Sequence, residues 1–271
     1  MGELTGHGSF DLQAHRGGAA LAPENTIEAF ANALAIGVTT LECDVHITAD
    51  GIAVLSHERT YAGRLIAAST AADLAPVATL TELIDLVRDR RADEVGLNIE
   101  TKFDVVHPDE GAPRERFVEE VVDALRSTGM LGRASVQSFD WAVLGLVRSA
   151  APELRLNALT NTDYLEAHRP GASPWLGGLD IDDFHDSVPA AVSSLGFDAI
   201  SPSHTILTPA MVAEAHQAGL RVLPYTVDAA ASMRRLVEFG VDGMITNRPD
   251  VLRSVLAEMD VPVPRSYPRI A

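Results

Sequence analysis

A chain of 271 residues with 46% hydrophobic and 22% charged side chains can fill a sizeable core, and its length is close to the ~250 residues of one (β/α)8 barrel. The net charge of −17, from 21 basic and 38 acidic residues, argues against general binding to nucleic acid or an anionic membrane, since both need a positive surface. No apolar run approaches the ~20 residues that span a bilayer, and the single cysteine, Cys43, excludes an intramolecular disulfide. Residues 1–9 lack the apolar stretch of a signal peptide, so a cytoplasmic location is expected.

In chain order, β-like apolar runs alternate with amphipathic helical stretches, the pattern of an α/β fold with a parallel sheet. The expected strands are Asp11–Ala14, Thr40–Ile47, Gly96–Thr101, Ala134–Ser138, Leu154–Leu159, Ala199–Ser201, Arg221–Val227 and Gly243–Thr246, enough to close a (β/α)8 TIM barrel. Helices are expected at Thr26–Ile36, Thr81–Arg90, Arg114–Ser127, Trp141–Ala150, Pro209–Ala218 and Ala229–Phe239. In the first of these, Ile27, Phe30, Ala31 and Leu34 recur at helical spacing and Gly37 can end the helix in a left-handed cap. Residues 58–78 break the rhythm with an Ala-rich run after the second strand, and 170–178 read as a Pro/Gly-rich surface loop. By its length the whole chain, 1–271, suits a single domain, and two smaller domains are also allowed.

Chemistry concentrates at the strand ends. On a β-strand alternate side chains share a face, so Glu42 and Asp44 project together while Cys43 turns away as a small packing residue. In Asn98-Ile99-Glu100-Thr101-Lys102 the same period sends Ile99 to the helix layer and leaves Glu100 and Lys102 facing inward. His15 precedes the paired carboxylates and His57 follows them, which makes a plausible site for a hard divalent cation with acid–base chemistry. The other histidines (His7, His46, His107, His168, His185, His204 and His216) read as structural or merely exposed, with His46 the doubtful case because it shares the face of Asp44. Pro23-Glu24-Asn25-Thr26 is a helix-start signal and is read as structural.

Taken in order, His15-Arg16-Gly17, Pro23-Glu24-Asn25-Thr26, Glu42-x-Asp44, Asp50-Gly51 and His57 resemble the signature of the glycerophosphodiester phosphodiesterases, metal-dependent TIM-barrel enzymes. The resemblance runs from about Phe10 to Val251 and is strongest at the start. It implies Glu42, Asp44 and Glu100 as ligands of one divalent cation, Mg²⁺ or Ca²⁺, and His15 and His57 as the acid–base pair. It implies Arg16 and Lys102 as phosphate holders and Tyr225 as an aromatic wall; Gln137 could hydrogen-bond either the phosphate or a ligand carboxylate. The implied reaction is hydrolysis of a small-molecule phosphodiester to glycerol 3-phosphate and an alcohol.

The chain departs from the family pattern in several places. The resemblance implies an insertion at about 58–78, which here is short and lacks the usual Arg-Thr-Thr-like segment; Tyr225 and Asp228 stand in place of Trp and Asn, Asn247 replaces Asp, and His57-Glu58 replaces His-Asp. The shortened insertion keeps open the same chemistry on a lysophospholipid or a sugar phosphodiester. A barrel that only binds a phosphorylated ligand predicts loss of a histidine or ligand carboxylate, and none is lost. An unrelated barrel enzyme such as an isomerase leaves the paired histidines unexplained.

Overall fold

The computed structural model describes residues 10–169 and 171–268. The readings placed on residues 1–9, on His7 and on Pro170 lie outside the described residues. Eight parallel strands form the barrel: β1 (Asp11–Ala14), β2 (Thr40–Ile47), β3 (Gly96–Thr101), β4 (Ala134–Ser138), β5 (Arg155–Thr160), β6 (Ala199–Pro202), β7 (Arg221–Val222) and β8 (Gly243–Thr246). An unbroken ladder runs β7-β6-β5-β4-β3-β2-β1-β8. The remaining seam is stitched by backbone bonds Asp242 N→Val222 O, Ile245 N→Pro224 O and Val227 N→Ile245 O, each 3.0 Å.

Regular pairing in β7 stops at Val222, short of the Arg221–Val227 strand expected, because Pro224 has no N–H to donate to the ladder. The chain nevertheless stays in line, with Leu223 N bonded to Ile200 O and Tyr225 N to Pro202 O. The fifth strand begins one residue later than expected and extends to Thr160.

The helices that wrap the barrel are α1 (Ile27–Ile36), α2 (Leu80–Asp89), α3 (Arg114–Ser127), α4 (Trp141–Ala150), α5 (Thr162–Leu165), α6 (Val188–Ser194), α7 (Pro209–Gln217), α8 (Ala230–Phe239) and α9 (Pro249–Glu258). The short α5 and α6, and α9 after the last strand, were not among the helices expected. In α1, Thr26 caps the N-terminus by accepting from Ala29 N, and the buried face is Ala29, Phe30, Ala33 and Leu34. That face is rotated from the expected one, so Ile27 and Ala31 are only partly covered. Gly37 ends the helix at φ +93, but its ψ of +99 lies outside the left-handed cap. Fully burying a side chain such as Phe30 contributes about 2–3 kcal/mol, and Leu97 and Ile99 of β3 join Cys43 in the same apolar layer.

The return path from β2 carries the site. A short strand, Ala53–Leu55, pairs antiparallel with β2 (Val45 with Leu55, Ile47 with Ala53). This reversal brings the chain back past Asp44, where Ser56 N donates to Asp44 O at 3.1 Å, and delivers His57 to the barrel mouth. Residues 58–79 then form a two-residue hairpin, Thr60–Tyr61 with Arg64–Leu65, over a small separate core of Val54, Ile66, Leu74 and Val77. Among the described residues no helix is long and apolar enough to cross a membrane.

Candidate active site

The carboxylates meet because β2 and β3 are in register, Glu42 opposite Asn98 and Asp44 opposite Glu100. One oxygen from each of Glu42, Asp44 and Glu100 lies within 4.8 Å of the others, and all three residues are buried. Burial, then the neighbouring Asp44 and Glu100 charges, push the Glu42 carboxyl well above its ordinary range. Burial also raises Glu100, against the opposing pull of Lys102. For Asp44 the burial penalty is outweighed by Lys102, Arg16 and a hydrogen bond from Asn25, so its carboxyl is held below the usual value.

Asp44 Oδ1 is buried without a hydrogen-bond partner. Three hard oxygen donors crowded in a buried space, one of them unsatisfied, fit a divalent cation of the Mg²⁺ or Ca²⁺ type. A second carboxylate group, His168 with Asp182 and Asp186, sits on a loop where His168 is largely exposed and already turned to Asp186 at 3.4 Å.

Arg16 reaches the cluster from the turn after β1. Its backbone sits at φ +52, followed by Gly17 at φ +83, and this sharp turn lets both backbone and side chain address the carboxylates. Arg16 N donates to Glu42 Oε2 at 2.8 Å, its Nε lies 3.0 Å from Asp44 Oδ2, and its Nη1 donates to Glu24 at 2.9 Å. Lys102 Nζ donates to Glu100 Oε1 at 2.8 Å and stands 3.7 Å from Asp44 Oδ1. Burial works against the Lys102 charge, but Glu100 and Asp44 win and raise its pKa.

The tautomer of His15 follows from its neighbours. Asn247 Nδ2 donates to Asp228 Oδ2 at 2.8 Å, because a carboxylate can only accept. Asn247 Oδ1 therefore faces His15 Nδ1 at 2.6 Å, and His15 must carry its proton there. This leaves Nε2 as the free ring nitrogen, 4.0 Å from Glu42 Oε2. Burial and the Arg16 charge hold the His15 pKa below 6.5. His57 is about one-third exposed and turns Nδ1 to Glu58 Oε1 at 2.9 Å. His46 is buried beside it, with Nε2 3.4 Å from His57 O, and burial lowers its pKa to about 4.

His46, His57, Glu58, Glu100 and Lys102 line one cavity of about 650 Å³. His15, Arg16, Glu42 and Asp44 join Glu100 and Lys102 through the contacts given above. Gln137 is fully committed beneath them: Nε2 donates to Glu42 Oε1 at 2.9 Å and Oε1 accepts from Asn98 Nδ2 at 2.7 Å. Of its two expected partners, the amide thus meets the carboxylate. Tyr225 donates its hydroxyl to Thr160 O at 3.0 Å and packs its ring near Phe139.

Asn25 was the residue sequence reasoning missed. It is buried at φ +55, donates Nδ2 to Asp44 Oδ2 at 2.9 Å and accepts from Asp44 N at 3.3 Å. The helix-start reading of Pro23-Glu24-Asn25-Thr26 holds for Thr26, but Glu24 and Asn25 belong to the site. The signal for it in the sequence is an asparagine directly before a capping threonine, since asparagine tolerates the left-handed backbone that turns its amide inward.

The glycerophosphoryl diester phosphodiesterase family model matches residues 15–251. A glycerophosphodiester phosphodiesterase from Caldanaerobacter subterraneus subsp. tengcongensis is 27% identical over 88% of this chain and 94% of its own length. A crystal structure from Silicibacter pomeroyi, assigned to the glycerophosphoryl diester phosphodiesterases, superposes with a TM-score of 0.80 at 33% identity, covering 95% of this chain and 97% of that one. A phosphodiesterase from Oleispira antarctica, solved with the product sn-glycerol-3-phosphate, shares the fold at 21% identity and a TM-score of 0.71, over 90% of this chain and 96% of that one. The motifs at the strand ends, the barrel that assembles them and a match along most of the sequence agree: this chain belongs to the glycerophosphoryl diester phosphodiesterase family.

Proposed function

We propose that this phosphodiesterase hydrolyses glycerophosphodiesters to glycerol 3-phosphate and an alcohol, with Glu42, Asp44 and Glu100 holding one divalent cation. The observation that carries the reading is the crowded, buried carboxylate cluster with the free Nε2 of His15 4.0 Å from Glu42. The product named for the Oleispira antarctica structure supports the same substrate class. When bound, the cation supplies Lewis acidity to the phosphoryl oxygens and favours an ionised attacking oxygen.

The chain's own groups do the rest. His15, neutral at pH 7 and fixed with its proton on Nδ1, accepts a proton at Nε2 from the attacking water. The new P–O bond forms as the bond to the leaving alcohol breaks, and His57 gives that alkoxide a proton. Arg16 and Lys102 lie against the carboxylates at the edge of the phosphate position, where their charge offsets that building on the phosphoryl oxygens. Gln137 and Asn25 orient Glu42 and Asp44. The chain acts as one domain, with its reduced insertion at 58–78 leaving the cavity beside His57 and Lys102 open to the leaving group.

The test is release of glycerol 3-phosphate from glycerophosphocholine by wild type, His15→Ala and Glu42→Ala, with and without EDTA. Loss of turnover with EDTA and in both variants is expected. Absence of turnover by wild type with every divalent cation would sink the assignment, and bis(p-nitrophenyl) phosphate would then show whether the chemistry survives on another diester.

A further inference from the structure

The interior of a (β/α)8 barrel is ordinarily filled by branched apolar side chains. Here Gln13, Asn98, Gln137 and Asn157, each 3% exposed or less, stand inside it and bond to one another. A buried amide costs free energy unless its polar atoms find partners, and leucine would fill the same layer without that risk. The amides instead make one directed chain.

It begins at Asp11, the first residue of β1. The Asp11 carboxylate accepts from the Thr39 and Thr40 hydroxyls at 2.7 Å each and stands 3.6 Å from Arg221 Nη2. Gln13 donates Nε2 to Asp11 Oδ2 at 3.0 Å, which turns its Oε1 to Asn98. Asn98 Nδ2 gives one hydrogen to Gln13 Oε1 at 2.8 Å and the other to Gln137 Oε1 at 2.7 Å. With its oxygen so engaged, Gln137 turns Nε2 to Glu42 and donates to Oε1 at 2.9 Å.

The two ends of a glutamine amide are nearly alike in size, so shape does not decide whether nitrogen or oxygen faces Glu42. Partners decide it. A carboxylate only accepts, so Asp11 fixes Gln13, Gln13 fixes Asn98, and Asn98 fixes Gln137. Asn98 is held from its other side too, where Oδ1 accepts from Ser135 Oγ at 3.0 Å and from Asn157 Nδ2 at 3.1 Å. Turning this amide over would set its oxygen against those of Gln13 and Gln137.

Strand register delivers the chain to the site: Asn98 lies opposite Glu42, and Gln137 opposite Glu100. An N–H turned to Glu42 attracts the carboxylate. An amide oxygen in the same place would repel it and swing it away from Asp44 and Glu100.

We propose that Asn98 is a positioning residue for the cation site: anchored to Asp11 through Gln13, it commits Gln137 to donate to Glu42 and so holds that carboxylate with the other two. This rests on the reading of Glu42, Asp44 and Glu100 as cation ligands. The floor of the barrel thereby sets the affinity of a site at its mouth.

The test moves one carboxylate along the chain without changing the net charge. In the double variant Asp11→Asn with Asn98→Asp, the carboxylate sits at the hub and accepts from both glutamines. Gln13 then accepts from the new amide at position 11, and Gln137 turns its oxygen to Glu42. Calorimetric titration of the metal-free protein with Mg²⁺ and with Ca²⁺ reads the consequence. Affinity is expected to weaken by about 10–100-fold, the order found for outer-shell partners. Coulomb attraction alone predicts the opposite sign, since the exchange brings a negative charge nearer the cation. Affinity equal to or tighter than that of wild type overturns the proposal.

Gln13→Leu keeps side-chain bulk and cuts the chain between Asp11 and Asn98, which covers the case in which the double variant does not fold. It is expected to weaken the same affinity by a smaller factor, and unchanged affinity there also overturns the proposal. The amide itself is read by nuclear magnetic resonance on metal-free, ¹⁵N-labelled protein, with the Gln137 side-chain signals identified by their absence in Gln137→Leu. Those signals are expected to shift in the double variant, where the N–H changes partner, and signals that stay in place overturn the proposal. No cation binding by wild type would remove the proposed function and this role together, whereas binding kept intact in both variants would remove this role alone.

Discussion

His15 Nδ1 lies 2.6 Å from Asn247 Oδ1, and the same asparagine hands its Nδ2 hydrogen to Asp228. Asn247 thus acts as an amide spacer between the histidine and a carboxylate, which sits one residue further from the ring than direct contact would place it. The arrangement fixes the histidine's tautomer without placing a full negative charge against it, consistent with a pKa held below 6.5 by burial and Arg16.

With His15 as the proposed base, which must be neutral to act, activity is expected to fall as pH drops through its pKa, and the acid limb of kcat/KM is expected below pH 6.5. In the double variant Asn247→Asp with Asp228→Asn, the carboxylate and amide exchange places and the charge touches the ring. That favours the imidazolium, and the acid limb is expected to move up by about one pH unit. Asn247→Leu removes the tautomer constraint and is expected to lower kcat by about tenfold or more. Identical pH profiles for wild type and the double variant would contradict this role.

Asn25 holds Asp44 at both a side-chain oxygen and the backbone N–H. Asn25→Ala is expected to weaken divalent-cation affinity by about 10–100-fold, since outer-shell partners tune their ligands by that order. Cation titration by calorimetry reads this directly, and an unchanged Kd would return Asn25 to the helix-start role alone.

Glu100→Gln removes one of three crowded carboxylates while Oε1 can still accept from Lys102 Nζ, as it now does at 2.8 Å. Because burial raises the Glu100 carboxyl, its ionised form costs stability above the folded pKa, and that cost is relieved as pH falls. Glu100→Gln removes that cost together with the attraction of the Lys102 ion pair, and because the two oppose one another the metal-free variant is expected to match wild type at neutral pH within about 1 kcal/mol. Saturating cation is expected to stabilise wild type by about 2.7 kcal/mol at a hundredfold excess over Kd, and the variant much less. Thermal unfolding with and without EDTA decides it, and equal cation shifts in both proteins would argue against ligation by Glu100.

Gly17 at φ +83 is required by both conformation and space: a Cβ there would lie 2.8 Å from the Ala29 Cβ and 2.9 Å from Phe30 N. Gly17→Ala is expected to destabilise the fold by about 1–3 kcal/mol and to displace Arg16 and His15 with it. Urea unfolding measures the first effect and kcat/KM the second. A variant with wild-type values for both would show that the turn relaxes freely.

Much of the fold was legible locally. Period-two alternation put Glu42 with Asp44 and Glu100 with Lys102, and sent Cys43 and Ile99 to the apolar layer, because strand geometry depends on neighbours two residues apart. The alternation of strands with helices set the α/β class with a parallel sheet, and chain length together with the family resemblance pointed to a barrel. Pro224 and the backward strand Ala53–Leu55 were not legible, since their effect depends on which chain lies alongside.

Residue types and local spacing were sufficient, from the sequence by itself, to gather acids, histidines and basic groups at the strand ends and to match them to a family. Only the tertiary structure decided what each of them faces. Gln137 reaches Glu42 across 95 positions and Asn247 reaches His15 across 232, contacts made when the barrel closes. Orientation, tautomer and pKa depend on those distant partners and on burial, which local periodicity does not encode.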